Sequence, residues 1–266
     1  MKFEPLISAD LNFLKDLQPQ DWGDIHPHFQ YYINSPYCQP VKVVIDNKIV
    51  GIGSTIIHNT TAWLAHIIVH PEYRNKGIGK FITQCLLDSL NSTQVKTVLL
   101  IATPLGEPVY TSLGFHAETE YIFFEGKKID LAQAENENIK PLIPAFHESL
   151  FSLDKQVSGE DRSWRLQENL EGAYMYIEKN ALNGFYLPIL GEGLIVARSE
   201  TAGKALMHLR LKSRDNAVFP AENLAAYEVI LKNGYKQTRT AKRMFLGERI
   251  HFEPIFLYNR IAGSIG

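Results

Sequence analysis

Residues 67–80 read Ile-Ile-Val-His-Pro-Glu-Tyr-Arg-Asn-Lys-Gly-Ile-Gly-Lys. Within them, Arg74-x-x-Gly77-x-Gly79 stands between a β-branched apolar run and a run with helical spacing, so a strand feeds a helix through a glycine-rich turn. That arrangement suits an anion. The glycines open backbone conformations closed to other residues and let a ligand approach the main chain. The helix that follows presents unpartnered N–H groups at the positive end of its dipole. A pyrophosphate uses both features. Two common nucleotide cradles are excluded by the residues themselves. Gly79-Lys80 is followed by Phe81 instead of Ser or Thr, and Ile82 stands where a dinucleotide fingerprint needs its third glycine.

The elements that must hold this turn alternate between strand and helix periods. Residues 3–7 read as a first strand and 8–17 as a capped helix. Residues 22–39, aromatic and containing proline, form a candidate wall of a substrate site that begins at Trp22. Residues 41–45 and 49–57 flank Asp46-Asn47-Lys48 as a hairpin, and Asn59-Thr60-Thr61 turns the chain into a third apolar run, 62–69. Three antiparallel strands result. Ile82, Leu86, Leu87 and Leu90 then mark one face of a helix. Residues 98–102 form another strand, 107–113 have helical character ending at Gly114, and 115–124 close the sheet.

The second half echoes the first. Pro141-Leu142-Ile143-Pro144-Ala145 repeats Pro5-Leu6-Ile7-Ser8-Ala9 at an offset of 136 residues, and Gly234-Tyr235 repeats Gly114-Phe115 at an offset of 120. Between them, residues 194–197 and the helical run 203–209 sit where the glycine-rich turn sat. An internal duplication is expected, with the boundary in the polar cluster between Gly126 and Asn138. The copy lacks the chemistry of the original. Residues 196–203 keep one glycine and no Arg-x-x-Gly-x-Gly.

The arrangement resembles the GNAT N-acetyltransferase family. Val69-x-Pro71-x-x-Arg74-x-x-Gly77-Ile78-Gly79 matches its coenzyme A motif behind the appropriate strand, and Tyr110-x-x-x-Gly114-Phe115 matches a second family motif. The resemblance covers roughly residues 1–128. It implies an α/β (α+β) chain of two GNAT-like domains, 1–128 and a degenerate tandem copy 135–266, each a mixed, mostly antiparallel sheet flanked by helices. It also implies acetyl-CoA as acyl donor and an amine, small molecules before proteins, as acceptor. The backbone of Ile67, Ile68 and Val69 would pair with the pantetheine arm. The segment Arg74, Asn75, Lys76, Gly77, Ile78, Gly79 and Lys80 would hold the pyrophosphate, its main-chain N–H groups from Asn75 onward making the contacts. Near the motif, the family's two central strands splay around the thioester, commonly with a bulge.

Acetyl transfer needs a deprotonated amine and a proton for the departing thiolate, and Tyr110 matches the family's general acid, a phenol with an ordinary pKa near 10. Its alternative is packing beside Leu113 and Phe115. The base stays open: Trp63 and Val98 occupy places where an acid is found in relatives, His66 has a suitable ordinary pKa near 6.5 but equally suits a structural strand position, and Glu118, Glu120 or a water chain remain. In the second half, Ile230 replaces the tyrosine, so that domain is expected to shape the acceptor pocket. Asp161, beside Arg162, is either a cap or surface ion pair or a contact for a cationic acceptor. The rival function is a non-catalytic acyl-CoA-binding or regulatory protein, which needs the cradle and has no use for Tyr110.

Composition narrows the partners. With 266 residues, 45% hydrophobic and 21% charged, the chain can bury two cores, and its net charge of −2 lacks the basic excess of nucleic-acid binders. Cys38 and Cys85 fit no metal-ligand spacing, so no metal is expected. Without a signal-like start or a long apolar run, the expectation is a cytoplasmic protein that does not engage membranes. The sequence leaves the oligomeric state open.

Overall fold

A computed structural model describes residues 1–20, 22–129 and 136–266; the expected boundary between Gly126 and Asn138 falls partly outside them. Two compact units emerge, each drawing on more than one stretch of chain. The first comprises Met1–His116, Met244–Arg249 and Gly263–Ile265, and the second Ala117–Arg243, Ile250–Ala262 and Gly266.

The first unit begins with β1 (Lys2–Pro5), a 3-10 helix (Ser8–Leu17) and α1 (His26–Asn34). The helix expected over residues 8–17 is present with those bounds, in 3-10 form. Its buried leucines, Leu11, Leu14 and Leu17, recur every three residues, the repeat of the tighter 3-10 turn. Asp10, rather than Ser8, anchors the start, accepting from the Ile7 amide at 2.9 Å and from Lys42 Nζ at 2.7 Å.

Next come β2 (Cys38–Ile45), β3 (Lys48–His58), β4 (Thr61–Val69), α2 (Ile78–Leu90), β5 (Thr97–Ala102) and α3 (Glu107–Thr111). The strands lie in the order β1-β2-β3-β4-β5, antiparallel until the parallel β4–β5 pair. Asp46 (φ 48°) and Asn47 (φ 62°) supply the left-handed pair that a two-residue hairpin demands. On α2, Ile78, Ile82, Leu86 and Leu90 recur at helical spacing and pack on Val43, Val50, Leu64 and Leu100. Met244 completes that core, and Thr97 Oγ1 donates to the Glu248 carbonyl at 2.6 Å.

The second unit holds β6 (His116–Glu125) beyond its first residue, β7 (Ile139–Pro141), α4 (His147–Ser158), α5 (Ser163–Gln167), β8 (Tyr174–Glu178) and β9 (Ala181–Leu187). It continues through β10 (Leu194–Ala197), α6 (Glu200–Leu211), β11 (Asn216–Pro220), α7 (Leu224–Lys232), most of β12 (Lys236–Gly247) and β13 (Leu257–Asn259). Five strands form a sheet in the order β13-β10-β9-β8-β7, and β12, β6 and β11 lie side by side.

The order of elements repeats: strand, 3-10 turn, helix, hairpin, strand, long helix, strand, short helix, strand. Details repeat with it. The β8–β9 hairpin again turns through two left-handed residues, Lys179 (φ 52°) and Asn180 (φ 61°). Both short helices end at a left-handed glycine, Gly114 (φ 91°) and Gly234 (φ 75°). The next amide returns to the helix in each case, Phe115 to the Tyr110 carbonyl at 3.1 Å and Tyr235 to that of Ile230 at 3.2 Å. Among the described residues, no helix is long and apolar enough to cross a membrane.

Candidate functional site

β4 pairs with β3 almost throughout, but with β5 only from Thr61 opposite Thr97 to Trp63 opposite Leu99. Beyond these pairs both strands continue without partnering each other, so β4 presents an open edge from Leu64 toward Val69. A bulge lies in this stretch. Between the pairs Ile52–Ile68 and Ser54–Ala65, Gly53 faces two residues, His66 and Ile67, and His66 takes a left-handed backbone (φ 49°). Such an extra residue bends its strand and re-aims side chains. Ile67, Ile68 and Val69 follow on this edge, although the Val69 carbonyl already accepts from Arg74 Nε at 3.3 Å.

Past β4, the 3-10 turn Pro71–Tyr73 starts at His70, whose Nδ1 accepts from the Glu72 amide at 3.3 Å. Asn75 (φ 61°) and Gly77 (φ 78°) then bend the chain into α2. The Phe81 amide reaches the Gly77 carbonyl at 3.0 Å, leaving the amides of Ile78, Gly79 and Lys80 ahead of it without an acceptor inside the helix. Gly77 is required by its φ. Gly79 is not: a Cβ there would meet only Val69 Cγ2, at 3.7 Å, an ordinary contact. The space at Gly79 leaves the amides at the start of α2 open to the approach of an anion. Lys76 Nζ bonds the Glu72 carbonyl at 3.1 Å over the Tyr73 ring, and Lys80 is exposed.

Tyr110 sits on α3, its half-buried ring 6.0 Å from that of Phe115 and packed over Gly106, where a Cβ would lie 2.9 Å from Cε2. Desolvation by burial pushes its pKa up to about 12. Its hydroxyl makes no hydrogen bond among the described residues. Packing and a free hydroxyl coexist here, so the first does not displace the second.

The bulge carries His66 into an aromatic cluster. Tyr32 Oη lies 2.9 Å from His66 Nδ1, and the rings of His28, Phe29 and Trp22 stand 4.7, 5.8 and 5.9 Å away. Burial, and then the charge of His28, lowers the His66 pKa to about 3. An imidazole so desolvated stays neutral at pH 7 and has little drive to take a proton from an ammonium; that favours a hydrogen-bonding role over that of a base. The segment starting at Trp22 thus lies against β4, and α1 buries Phe29 and Tyr32. Tyr32 escaped the sequence reading because it lies 34 residues from His66 and no local period links them.

The acidic candidates belong to the second unit. Asp161 accepts from Ser163 Oγ at 2.8 Å and Lys155 Nζ at 3.2 Å, and these bonds, Ser163 first, hold its carboxyl below the usual range. Glu118 is buried and paired with Arg243 at 3.2 Å, and Glu120 is exposed. Trp63 is fully buried. No cluster of three or more potential metal ligands occurs among the described residues.

Comparison with known proteins supplies a context for this geometry. A family described as the acetyltransferase (GNAT) domain matches residues 14–129. The uncharacterized N-acetyltransferase ycf52 of Pyropia yezoensis is 29% identical over 73 residues, 26% of this chain and 41% of the relative. That of Porphyra purpurea is 32% identical over 57 residues, 21% of this chain and 32% of the relative. The chain therefore spans less than half the length of these curated relatives. Among solved structures, an acetyltransferase candidate from Pyrococcus horikoshii superposes with a TM-score of 0.84 at 21% identity, covering 100% of this chain and 95% of the other. A GCN5-related N-acetyltransferase from Sphaerobacter thermophilus gives 0.64 at 13%, covering 92% and 95%. A tandem GNAT protein from the clavulanic acid biosynthesis pathway gives 0.62 at 13%, covering 92% and 98%. At these identities the structures speak to the fold alone.

Proposed function

From the match of residues 14–129 to the acetyltransferase (GNAT) domain family, we propose that the chain is a GNAT acetyltransferase and transfers an acetyl group from acetyl-CoA to a primary amine, a small molecule in preference to a protein. Residues 1–128 act as the transferring domain, and 135–266 are a copy without the cradle. The observation that carries this reading is the pairing of an open β4 edge with the unoccupied amides of Ile78, Gly79 and Lys80 beside a glycine that packing does not require.

The donor supplies an acyl group activated as a thioester. Ile67, Ile68 and Val69 offer main-chain groups along the β4 edge, and the turn from Asn75 to Lys80 offers N–H donors to the diphosphate. Arg74, Lys76 and Lys80 add positive charge to that turn, with Arg74 also tying it to the end of β4. The ammonium gives up a proton to solvent and the neutral amine attacks the carbonyl carbon; the N–C bond forms as the C–S bond breaks, and the nitrogen releases its second proton to solvent. Tyr110, fully protonated at physiological pH, gives its proton to the departing sulfur and regains one from water. His66 stays neutral and, tethered by Tyr32, orients the wall that includes Trp22 beside the bulge.

A thiol-release assay against a panel of free amines and peptide amines tests the proposal. Tyr110→Phe should lower kcat by about 10²–10⁴-fold, the usual worth of a general acid, with coenzyme affinity unchanged. Equal turnover in the variant would reduce Tyr110 to packing. Coenzyme binding without thiol release for any amine would favour a non-catalytic acyl-CoA-binding protein.

A further inference from the structure

On the reading above, the coenzyme lies along the β4 edge and against the amides ahead of α2. The repeated order of elements makes β10, α6 and β11 the counterparts of β4, α2 and β5 in the second unit. There the gap is filled by the chain itself. β13 pairs antiparallel with β10, Ile195 opposite Asn259 and Val196 opposite Leu257. On its other side, the Arg260 amide donates to the Val218 carbonyl of β11 at 2.9 Å.

Side chains lock the strand in place. Asn259, fully buried, accepts from the Val218 amide through Oδ1 at 2.9 Å and donates through Nδ2 to the Gly193 carbonyl at 2.9 Å. Asn223 Nδ2 donates to the Leu257 carbonyl at 3.0 Å, and Arg260 forms a double hydrogen bond with Glu192 at 2.9 and 2.8 Å.

The helix end is covered as well. The register slips by one residue between the two β10–β13 pairs, so Tyr258 is the extra residue of a bulge, and its ring lies on the first turn of α6. Gly203 lies beneath it, and any side chain there would collide with ring carbons Cε1, Cε2 and Cζ. Of the three amides that stand open ahead of α2, the last has a partner at its counterpart here, Ala202 donating to Ser199 Oγ at 3.3 Å.

We infer that residues 257–260 are a built-in occupant of the second copy's gap, and that they limit the chain to one coenzyme. Loss of Arg-x-x-Gly-x-Gly from this copy is then matched by a strand that uses the vacated edge and a tyrosine that uses the one glycine kept. The inference rests on the coenzyme reading of the first cradle.

Native mass spectrometry of the full chain in excess acetyl-CoA, with hydrogen exchange on the same samples, tests it. The expected result is one coenzyme per chain, with the amides of Val218 and Arg260 slow to exchange with or without ligand. Two bound coenzymes, or loss of protection at residues 257–260 on adding the ligand, would overturn this inference and leave the first cradle standing. No bound coenzyme would instead remove the premise, and the inference with it.

Discussion

His66 shows how a backbone irregularity sets the chemistry of a side chain. The bulge turns the imidazole among Tyr32, His28, Phe29 and Trp22, and desolvation lowers its pKa from 6.5 to about 3. The unfolded chain therefore binds a proton near pH 6.5 that the folded chain refuses until about pH 3. Stability from this group is complete above pH 6.5 and is lost as pH falls, at up to about 1.4 kcal/mol per unit. Urea titrations of wild type and His66→Gln should diverge in slope between pH 6.5 and 5, the wild type steeper; parallel curves would contradict the buried neutral imidazole. Tyr110 moves the other way. With a pKa of about 12, its proton remains through the alkaline range, so a loss of activity between pH 8 and 10 belongs to another group. Tyr110, Gly77 and Gly79 were legible in the sequence because short motifs carry them. The Tyr32–His66 bond was not, because it joins segments related only by the fold.

Between β4 and α2, two glycines separated by one residue have different reasons to be glycine. Gly77 has φ 78°, so alanine there is expected to cost about 1–2 kcal/mol. Gly79 is helical and has room for a methyl, so Gly79→Ala should stabilise the chain by about 0.4–1 kcal/mol. The same methyl stands where a diphosphate would approach, and coenzyme binding should weaken by about tenfold, or about 1.4 kcal/mol. Urea unfolding and a coenzyme titration on one preparation read both; a variant that is stabilised yet binds unchanged would sink the assignment of Gly79. The strand, turn and helix here followed from local periodicity, as did the β2–β3 hairpin. The helix over residues 8–17 was legible too, though not its 3-10 form, which goes with leucines at a spacing of three. The parting of β4 from β5 and its bulge came from the family resemblance and not from periodicity, since no residue type announces them.

Across the whole chain, duplication was legible through Pro5 and Pro141, each closing a strand, and Gly114 and Gly234, each ending a helix. The allotment of Met244–Arg249 to the first unit was not, because an alternating strand pattern does not reveal which core it will enter. The use of β13 was equally hidden, though Gly203 marks it in hindsight. Gly203→Ala should destabilise the second unit by about 1–3 kcal/mol by driving a methyl into the Tyr258 ring. A thermal melt checks this, and an unchanged midpoint would contradict the close approach. The central claim, that main-chain donors at the start of α2 hold acetyl-CoA, is tested most directly by isothermal titration of acetyl-CoA into the full chain near neutral pH. The account predicts a saturable heat at one equivalent. A flat trace from protein that still unfolds cooperatively would contradict it.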